Sequence, residues 1–132
     1  MSNLKKHGVL NRELSIILSE LGHTDTIVIA DCGLPIPPGV KCIDLTIRQG
    51  DPSFMKIVEL LHEEMEIEQI TLAEEIKEQN PNIHESLQKL NYPVAYVSHE
   101  QFKQLSQKGR AIIRTGEITP YANVILHAGV IF

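Results

Sequence analysis

The chain contains no tryptophan, only two cysteines, and no apolar run that approaches the length of a membrane span. A membrane-spanning helix needs about 20 consecutive apolar residues, so we expect no membrane partner. The polar first residues lack the apolar segment of a secretory signal, and Cys32 and Cys42 form no Cys-x-x-Cys pair. These observations favour a cytoplasmic protein whose two thiols are reduced and serve neither a redox nor a metal site.

Positive charge is also scarce in the chain. Twelve Lys and Arg residues against 17 Asp and Glu residues give a net charge of −5, without a basic run, so we expect no nucleic-acid partner. The chain has no Gly-x-Gly-x-x-Gly, no Walker loop, no His-Glu-x-x-His and no Gly-x-Ser-x-Gly. Its six histidines include no pair at tight metal-ligand spacing. We therefore expect neither a cofactor nor a metal.

Helix-like and strand-like segments alternate along the chain. The apolar spacing predicts helices over residues 12–21, 52–64, 81–90 and 99–108, and strands over residues 27–30, 41–47, 66–73, 94–97, 111–115 and 124–126. Asp51 is the expected cap of the second helix, with Pro52 at its first position. Ser98 and Gln101 match a capping box. The alternation predicts one domain over residues 1–132, a layered α/β sandwich with a central, mostly parallel sheet.

The chain closes on Val130-Ile131-Phe132, which is an unusually apolar end. These residues are β-prone. They form either a buried last strand or part of a contact between subunits, because both arrangements bury the same side chains.

The most informative stretch is the strand at residues 27–30, because a titratable residue lies near each of its ends. Asp31 follows the strand directly, and in open α/β sheets ligands gather outside the carboxyl ends of strands. His23 precedes the strand and follows a helix C-terminus, which favours the imidazolium form. His99 begins a predicted helix, which favours neutral imidazole, so the two histidines are either acid and base partners or local helix-end residues.

The remaining candidates have two interpretations each. Tyr121 and Asn123 lie in a loop before a strand, where they either bind a sugar or serve packing and turn formation. His62 and His84 are expected to be solvated helix residues, and His127 is expected to be a hydrogen-bonded core histidine.

Five segments of the chain, in order and with matching gaps, carry a family resemblance. They are residues 22–25 (Gly-His-Thr-Asp), 31–37 (Asp-Cys-Gly-Leu-Pro-Ile-Pro), 52–55 (Pro-Ser-Phe-Met), 99–103 (His-Glu-Gln-Phe-Lys) and 119–123 (Thr-Pro-Tyr-Ala-Asn). Over essentially its whole length the chain resembles the sugar mutarotase family, which contains the D-ribose pyranases and the L-fucose mutarotases. The resemblance implies interconversion of the pyranose and furanose forms of β-D-ribose, without a cofactor.

The resemblance also implies roles for individual residues. It makes His23 the proton donor, and Asp31 would either orient His23 or hold a sugar hydroxyl. Lys103 is a weaker candidate for sugar binding. The family's substrate-binding positions fall on Asp31, His99, Tyr121, Ala122 and Asn123. The family assembles as cytoplasmic homodecamers of two pentameric rings, with sites near subunit boundaries.

The chain departs from the family pattern at Cys32, where many relatives carry alanine, and we expect little effect from this small-for-small change. The fucose branch has aromatic residues where this chain has Gly33-Leu34-Pro35, which favours ribose over L-fucose as substrate. Two alternatives stay open: an L-fucose-type mutarotase and a non-catalytic sugar-binding protein of ribose uptake.

Overall fold

The computed structural model describes residues 5–132 as a six-stranded sheet with helices on both faces. The elements in chain order are α1 (Arg12–Glu20), β1 (Thr26–Ala30), β2 (Cys42–Asp44), α2 (Phe54–Glu64), β3 (Ile67–Ala73), α3 (Ile76–Gln79), α4 (Pro81–Gln88), β4 (Val94–Val97), α5 (His99–Ser106), β5 (Ile112–Arg114) and β6 (Val124–Ala128). The short helix α3 is an element that the sequence pattern did not predict.

The strand order is β2-β5-β1-β6-β3-β4, and β6 alone runs against the others. The prediction of a mostly parallel sheet is therefore confirmed. Because the other five strands run in one direction, they all end at one edge of the sheet, where β6 begins. We call this row of strand ends the carboxyl edge, and the row at the opposite ends of the same strands the amino edge. Neither term refers to an outer strand of the sheet. The loops that follow β1, β3 and β4 thus meet the loop that precedes β6.

Both faces of the sheet are apolar, which explains the unbroken apolar run of β1. Ile27 and Ile29 pack into the larger core together with residues from α1, α2 and α4. Val28 and Ala30 point to the smaller core on the other face, where Phe102 of α5 is completely buried. The sheet is thereby fixed between two layers, and its two edges carry the exposed polar loops.

The start of α2 differs from its prediction. The helix begins at Phe54, and its N-cap is Ser53, whose hydroxyl accepts a hydrogen bond from the Lys56 N–H at 3.2 Å. The Asp51–Pro52 peptide is cis and precedes the helix. The Pro52 carbonyl accepts from the Gly116 N–H at 2.9 Å, so this segment is bonded to the loop after β5 rather than to the helix.

The strand predicted over residues 41–47 is too long, and the β-prone end of the chain forms no strand. β2 ends at Asp44 because its carboxylate accepts a hydrogen bond from the Thr46 N–H at 2.9 Å, which turns the chain away from the ladder. β6 ends at Ala128, and residues 130–132 form no strand. Ile131 is 91% exposed and Phe132 is 100% exposed, so the alternative of a buried last strand is wrong.

The capping box of α5 is confirmed. The Ser98 hydroxyl accepts from the Gln101 N–H at 3.2 Å, and the Gln101 side chain accepts from the Ser98 N–H at 3.4 Å. This reciprocal pair fixes the first turn of the helix. As a result His99, the first residue of α5, has a defined position at the carboxyl edge.

Candidate functional site

A cavity of about 300 Å³ opens at the carboxyl edge. Asp31 directly follows β1, His99 begins α5 after β4, and Asn123 directly precedes β6. The sheet topology therefore brings together four of the residues that the sequence singled out. The cavity is lined by Asp31, Gly33, Leu34, His99, Pro120, Tyr121 and Asn123.

Asp31 is held on both sides of its carboxylate. Its Oδ1 accepts from the Gly33 N–H at 3.0 Å, and its Oδ2 accepts from the Asn123 amide at 3.3 Å. Asn123 is itself buried, and its Oδ1 accepts a hydrogen bond from the backbone N–H of Asp31 at 2.9 Å. Burial raises the pKa of Asp31, while hydrogen bonds from Gly33, Leu34 and Asn123 oppose the rise. The carboxylate is fixed in place, and it binds a proton more readily than a free aspartate does.

His99 and Tyr121 also line the cavity. Their rings meet edge to face, with centroids 5.0 Å apart and planes at 87°. The backbone N–H of His99 donates to both carboxylate oxygens of Glu75 at 3.1 Å. The His99 Nδ1 atom is buried and has no hydrogen-bond partner within residues 5–132. Buried polar atoms almost always have a partner, so this nitrogen is suited to a ligand hydroxyl.

The loop that carries Tyr121 is anchored by residues that the sequence analysis missed. The Asn80 amide donates to the Thr119 hydroxyl at 2.9 Å and to the Pro120 carbonyl at 2.8 Å. The buried Glu117 carboxylate accepts from the Phe54 N–H at 3.0 Å. No local sequence signal identifies these contacts, because they join positions that are 39, 40 and 63 residues apart.

Ala122 is the one predicted site residue of this loop that does not line the cavity. Its side chain is completely buried in the larger core. Any contact of Ala122 with a ligand is therefore through its backbone.

His23 lies at the amino edge, away from this cavity. β1 separates it from Asp31, and the five strand residues alone span about 13 Å at roughly 3.3 Å per residue. The hypothesis that Asp31 orients His23 of the same chain is therefore wrong. The partner of His23 is Glu68, whose Oε2 lies 3.1 Å from the imidazole Nε2. Both side chains are about half exposed, at 50% and 46%.

The turn that presents His23 is fixed by Asp25. Its carboxylate accepts from the Gly22 N–H at 2.8 Å and pairs with Arg110 at 3.0 Å. Thr24 adopts a φ of 74°, in the left-handed region. The Thr24 N–H then donates to the Ala128 carbonyl at 3.0 Å, which joins the turn to the end of β6. His23 is therefore next to the point where residues 130–132 leave the sheet.

Three further histidines, at positions 62, 84 and 127, have structural partners. His127 is half-buried in β6, and its Nε2 lies 2.8 Å from the Thr71 hydroxyl, as expected for a hydrogen-bonded core histidine. His62 is exposed and contacts the Tyr92 hydroxyl. His84 was expected to be solvated, but it is half-buried and its Nε2 lies 2.7 Å from the Tyr96 hydroxyl, because α4 packs it over β4.

Lys103 does not line the cavity. Its ammonium group pairs with Glu100, one turn earlier in α5, at 2.9 Å. Residues 5–132 contain no group of three His, Cys, Asp or Glu side chains arranged to hold a metal ion. Over the same residues no helix is both long and apolar enough to span a membrane.

Comparisons with known proteins cover nearly the whole chain. Residues 4–131 match the model of the RbsD / FucU transport protein family. The D-ribose pyranase of Halalkalibacterium halodurans is 58% identical over 129 residues, which is 98% of this chain and 100% of the relative. The structure of Bacillus subtilis RbsD complexed with D-ribose is 52% identical and superposes with a TM-score of 0.94, covering 97% of this chain and 99% of that one.

The fucose branch shares the fold at lower identity. The fucose mutarotase of Streptococcus pneumoniae, in complex with L-fucose, is 24% identical and has a TM-score of 0.76. The alignment covers 92% of this chain and 94% of that one.

Proposed function

The chain belongs to the RbsD / FucU transport protein family, and we infer that it is an isomerase that interconverts the β-pyranose and β-furanose forms of D-ribose. This activity feeds ribose degradation. The observation that carries the inference is the cavity at the carboxyl edge, where a carboxylate, an imidazole, a phenol and an amide converge. The fold around it matches a protein solved with D-ribose, and relatives of about 60% identity are D-ribose pyranases.

The chemistry needs only acid and base. A base removes the proton of the anomeric hydroxyl. The electron pair of that O–H bond forms the second bond between C1 and its oxygen, which makes the aldehyde carbonyl. The bond between C1 and the ring oxygen breaks towards oxygen, which takes a proton from an acid. The reverse steps through another hydroxyl close the ring at its new size. General acid–base catalysis is worth typically about 10²–10⁴-fold in rate.

We assign the base to Asp31 and the acid to His23. The raised pKa of Asp31 makes its carboxylate a stronger base than a free aspartate, and its hydrogen bonds to Gly33 and Asn123 fix its direction. His99, Tyr121 and Asn123 hold the hydroxyl groups of the sugar, and Ala122 contributes backbone atoms. The base and these binding groups all lie at the cavity of one chain, whereas the acid, His23, does not.

His23 reaches the sugar from a second copy of the chain. Since it lies at the amino edge and Asp31 at the carboxyl edge, the amino edge of one copy has to face the carboxyl edge of the next. Such a head-to-tail contact generates a closed ring when its rotation closes. We therefore propose pentameric rings, paired into a decamer. The exposed Ile131 and Phe132 leave the sheet beside His23, where a neighbouring copy would cover them.

We place this assembly in the cytoplasm, where the imported sugar is used. Two free cysteines, Cys32 and Cys42, are consistent with a reducing compartment. The loop at residues 33–35 and the higher identity to pyranases favour D-ribose over L-fucose.

Proton NMR exchange spectroscopy on D-ribose at equilibrium tests the function, with L-fucose measured beside it. We expect the protein to accelerate pyranose–furanose exchange of ribose, and we expect His23→Ala to lower that rate roughly 10²-fold or more because the acid is lost. His62→Ala, an exposed histidine outside the site, is the matched control and should keep the wild-type rate.

Each other result selects a different conclusion. Faster anomer exchange of fucose alone would move the chain to the fucose branch. Line broadening from binding without faster exchange would make it a sugar-binding protein. A His23→Ala protein with the wild-type rate would remove the acid assignment and leave the enzyme in place.

A further inference from the structure

Glu68 lies outside the cavity and is the residue that contacts the imidazole of His23. We propose that Glu68 is a positioning residue that fixes which nitrogen of His23 exchanges its proton with the sugar, and that this nitrogen is Nδ1. The proposal rests on the proposed function, in which His23 is the acid.

The contact itself selects the nitrogen. Oε2 of Glu68 lies 3.1 Å from Nε2 of His23, and an ionised carboxylate has no proton to donate. Nε2 therefore carries the hydrogen in this pair. In a histidine, the hydrogen bond made by one ring nitrogen determines the protonation of the other. The neutral ring thus has a bare Nδ1, and the charged ring has a free Nδ1–H.

An irregularity in the pairing of β3 and β6 places Glu68 beside His23. The pairing of β3 with β6 shifts register between Ile67 and Gln69, so Glu68 occupies the irregularity. Such irregularities redirect a side chain out of the regular strand alternation. Gly129 passes close by, since a Cβ there would lie 3.2 Å from the Cβ of Glu68. Glycine at position 129 thus lets the chain after β6 pass close to the backbone and Cβ of Glu68.

The proton cycle closes with Glu68 unchanged. In ring opening the His23 imidazolium gives its Nδ1 proton to the ring oxygen, and Asp31 takes the proton of the anomeric hydroxyl. In ring closure the attacking hydroxyl returns a proton to Nδ1, while Asp31 gives its proton to the carbonyl oxygen. Nε2–H stays on Glu68 throughout, so the ring keeps one orientation through opening and closure.

The surroundings of Glu68 decide which variants are informative. Its carboxylate also acts on His127, whose pKa it raises against the effect of burial. Glu66 also lies near Gly129, since a Cβ there would be 3.5 Å from the Cγ of Glu66, and its side chain is exposed. Because the Glu68 side chain is 46% exposed, solvent screens its charge. Its main effect on His23 is therefore to orient the imidazole ring.

Glu68→Gln tests the proposal in the intact assembly, with Glu66→Gln as the matched control. The amide can turn its NH₂ group towards Nε2 and thereby permit the other tautomer. We expect exchange of D-ribose to slow about 10-fold or more in kcat. KM should be unchanged, because Glu68 does not touch the sugar. Glu66→Gln should keep the wild-type kcat.

Nitrogen-15 NMR of the histidine side chains reads the tautomer directly, with His23→Ala identifying the signals. We expect neutral His23 to be protonated at Nε2 in the wild type and to gain Nδ1–H character in Glu68→Gln. An unchanged tautomer in the variant would overturn the proposal, whatever its rate, and so would a wild-type kcat. A wild-type protein that shows the Nε2–H form but does not accelerate exchange would instead refute the proposed function.

Discussion

Burial acts on two titratable residues at opposite ends of the sheet, and in both cases it favours the neutral form. It raises the pKa of Asp31 at the carboxyl edge and lowers the pKa of His127 near the amino edge. For Asp31 the shift strengthens the proposed base, although burial of the ionised carboxylate is costly. For His127 the shift affects stability, since this residue lies outside the proposed chemistry.

We expect His127 to make the protein less stable as the pH falls. Burial lowers its folded-state pKa below about 6.5, the value of a free histidine, so the unfolded chain binds a proton first. The stability due to neutral His127 is present above the unfolded value and is lost as the pH falls through the folded one. His127→Gln should flatten this loss in urea unfolding between pH 7.5 and about 5.

Two conditions make that measurement specific. Protein concentration is held constant, because assembly contributes to apparent stability. His62→Gln, at an exposed histidine, should leave the slope as in the wild type. An equal pH slope in His127→Gln and the wild type would contradict the assignment to His127.

At the scale of elements, the loop before β6 owes its shape to contacts with two helices. Glu117 joins it to the first turn of α2 through the Phe54 N–H, and Asn80 joins it to the start of α4. The loop also packs tightly at Gly116, where a Cβ would lie 2.5 Å from the Arg48 carbonyl oxygen. Tyr121, with a φ of 57°, is held in the left-handed region by these anchors.

Glu117→Gln should therefore weaken both stability and sugar binding. Its Oε1 accepts from Phe54 and its Oε2 accepts from the Thr119 hydroxyl at 2.7 Å, so an amide has to present NH₂ to one of the two donors. Leaving a buried donor unpaired costs about 1–3 kcal/mol in unfolding free energy. We expect this loss in urea unfolding, with a higher KM for ribose because Tyr121 is displaced.

The control for this prediction is Glu85→Gln, which removes an exposed carboxylate paired with Lys89 at 3.8 Å. Surface pairs of this kind contribute about 0–1 kcal/mol. If Glu117→Gln were as stable as Glu85→Gln, with an unchanged KM, the loop would not depend on the anchor.

At the scale of the whole molecule, the separation of His23 from Asp31 predicts complementation between inactive copies. His23→Ala and Asp31→Asn should each lose activity, because each lacks one of the two proposed proton-transfer groups. When they are co-expressed, a site that combines Asp31 of one variant with His23 of the other is intact. In a randomly mixed head-to-tail ring this applies to about a quarter of the sites.

We therefore expect mixed assemblies, isolated through two different affinity tags, to recover about a quarter of the wild-type exchange rate. Assemblies of one variant carrying both tags are the control and should stay inactive. If mixed assemblies of confirmed mass showed no recovery, the acid and the base would have to act within one chain.

Local chemistry let the sequence by itself determine much of this protein. The apolar run at residues 27–30 is a buried strand, and Ser98 with Gln101 caps α5, because both patterns depend on neighbours within a few residues. The position of Asp31 directly after a strand was sufficient to predict that it lies where loops converge, and the structure places it in the lining of the cavity there. Five segments of sequence were sufficient to indicate the family.

Only the tertiary structure decided how the candidates are distributed. His23 and Asp31 are eight positions apart in the sequence but lie at opposite edges, because an extended strand separates them by its full length. Glu68 meets His23 from 45 residues away, and Asn123 meets Asp31 from 92 residues away, because the antiparallel β6 lies between β1 and β3. Contacts of this kind follow from the order and direction of the strands, which no local pattern encodes.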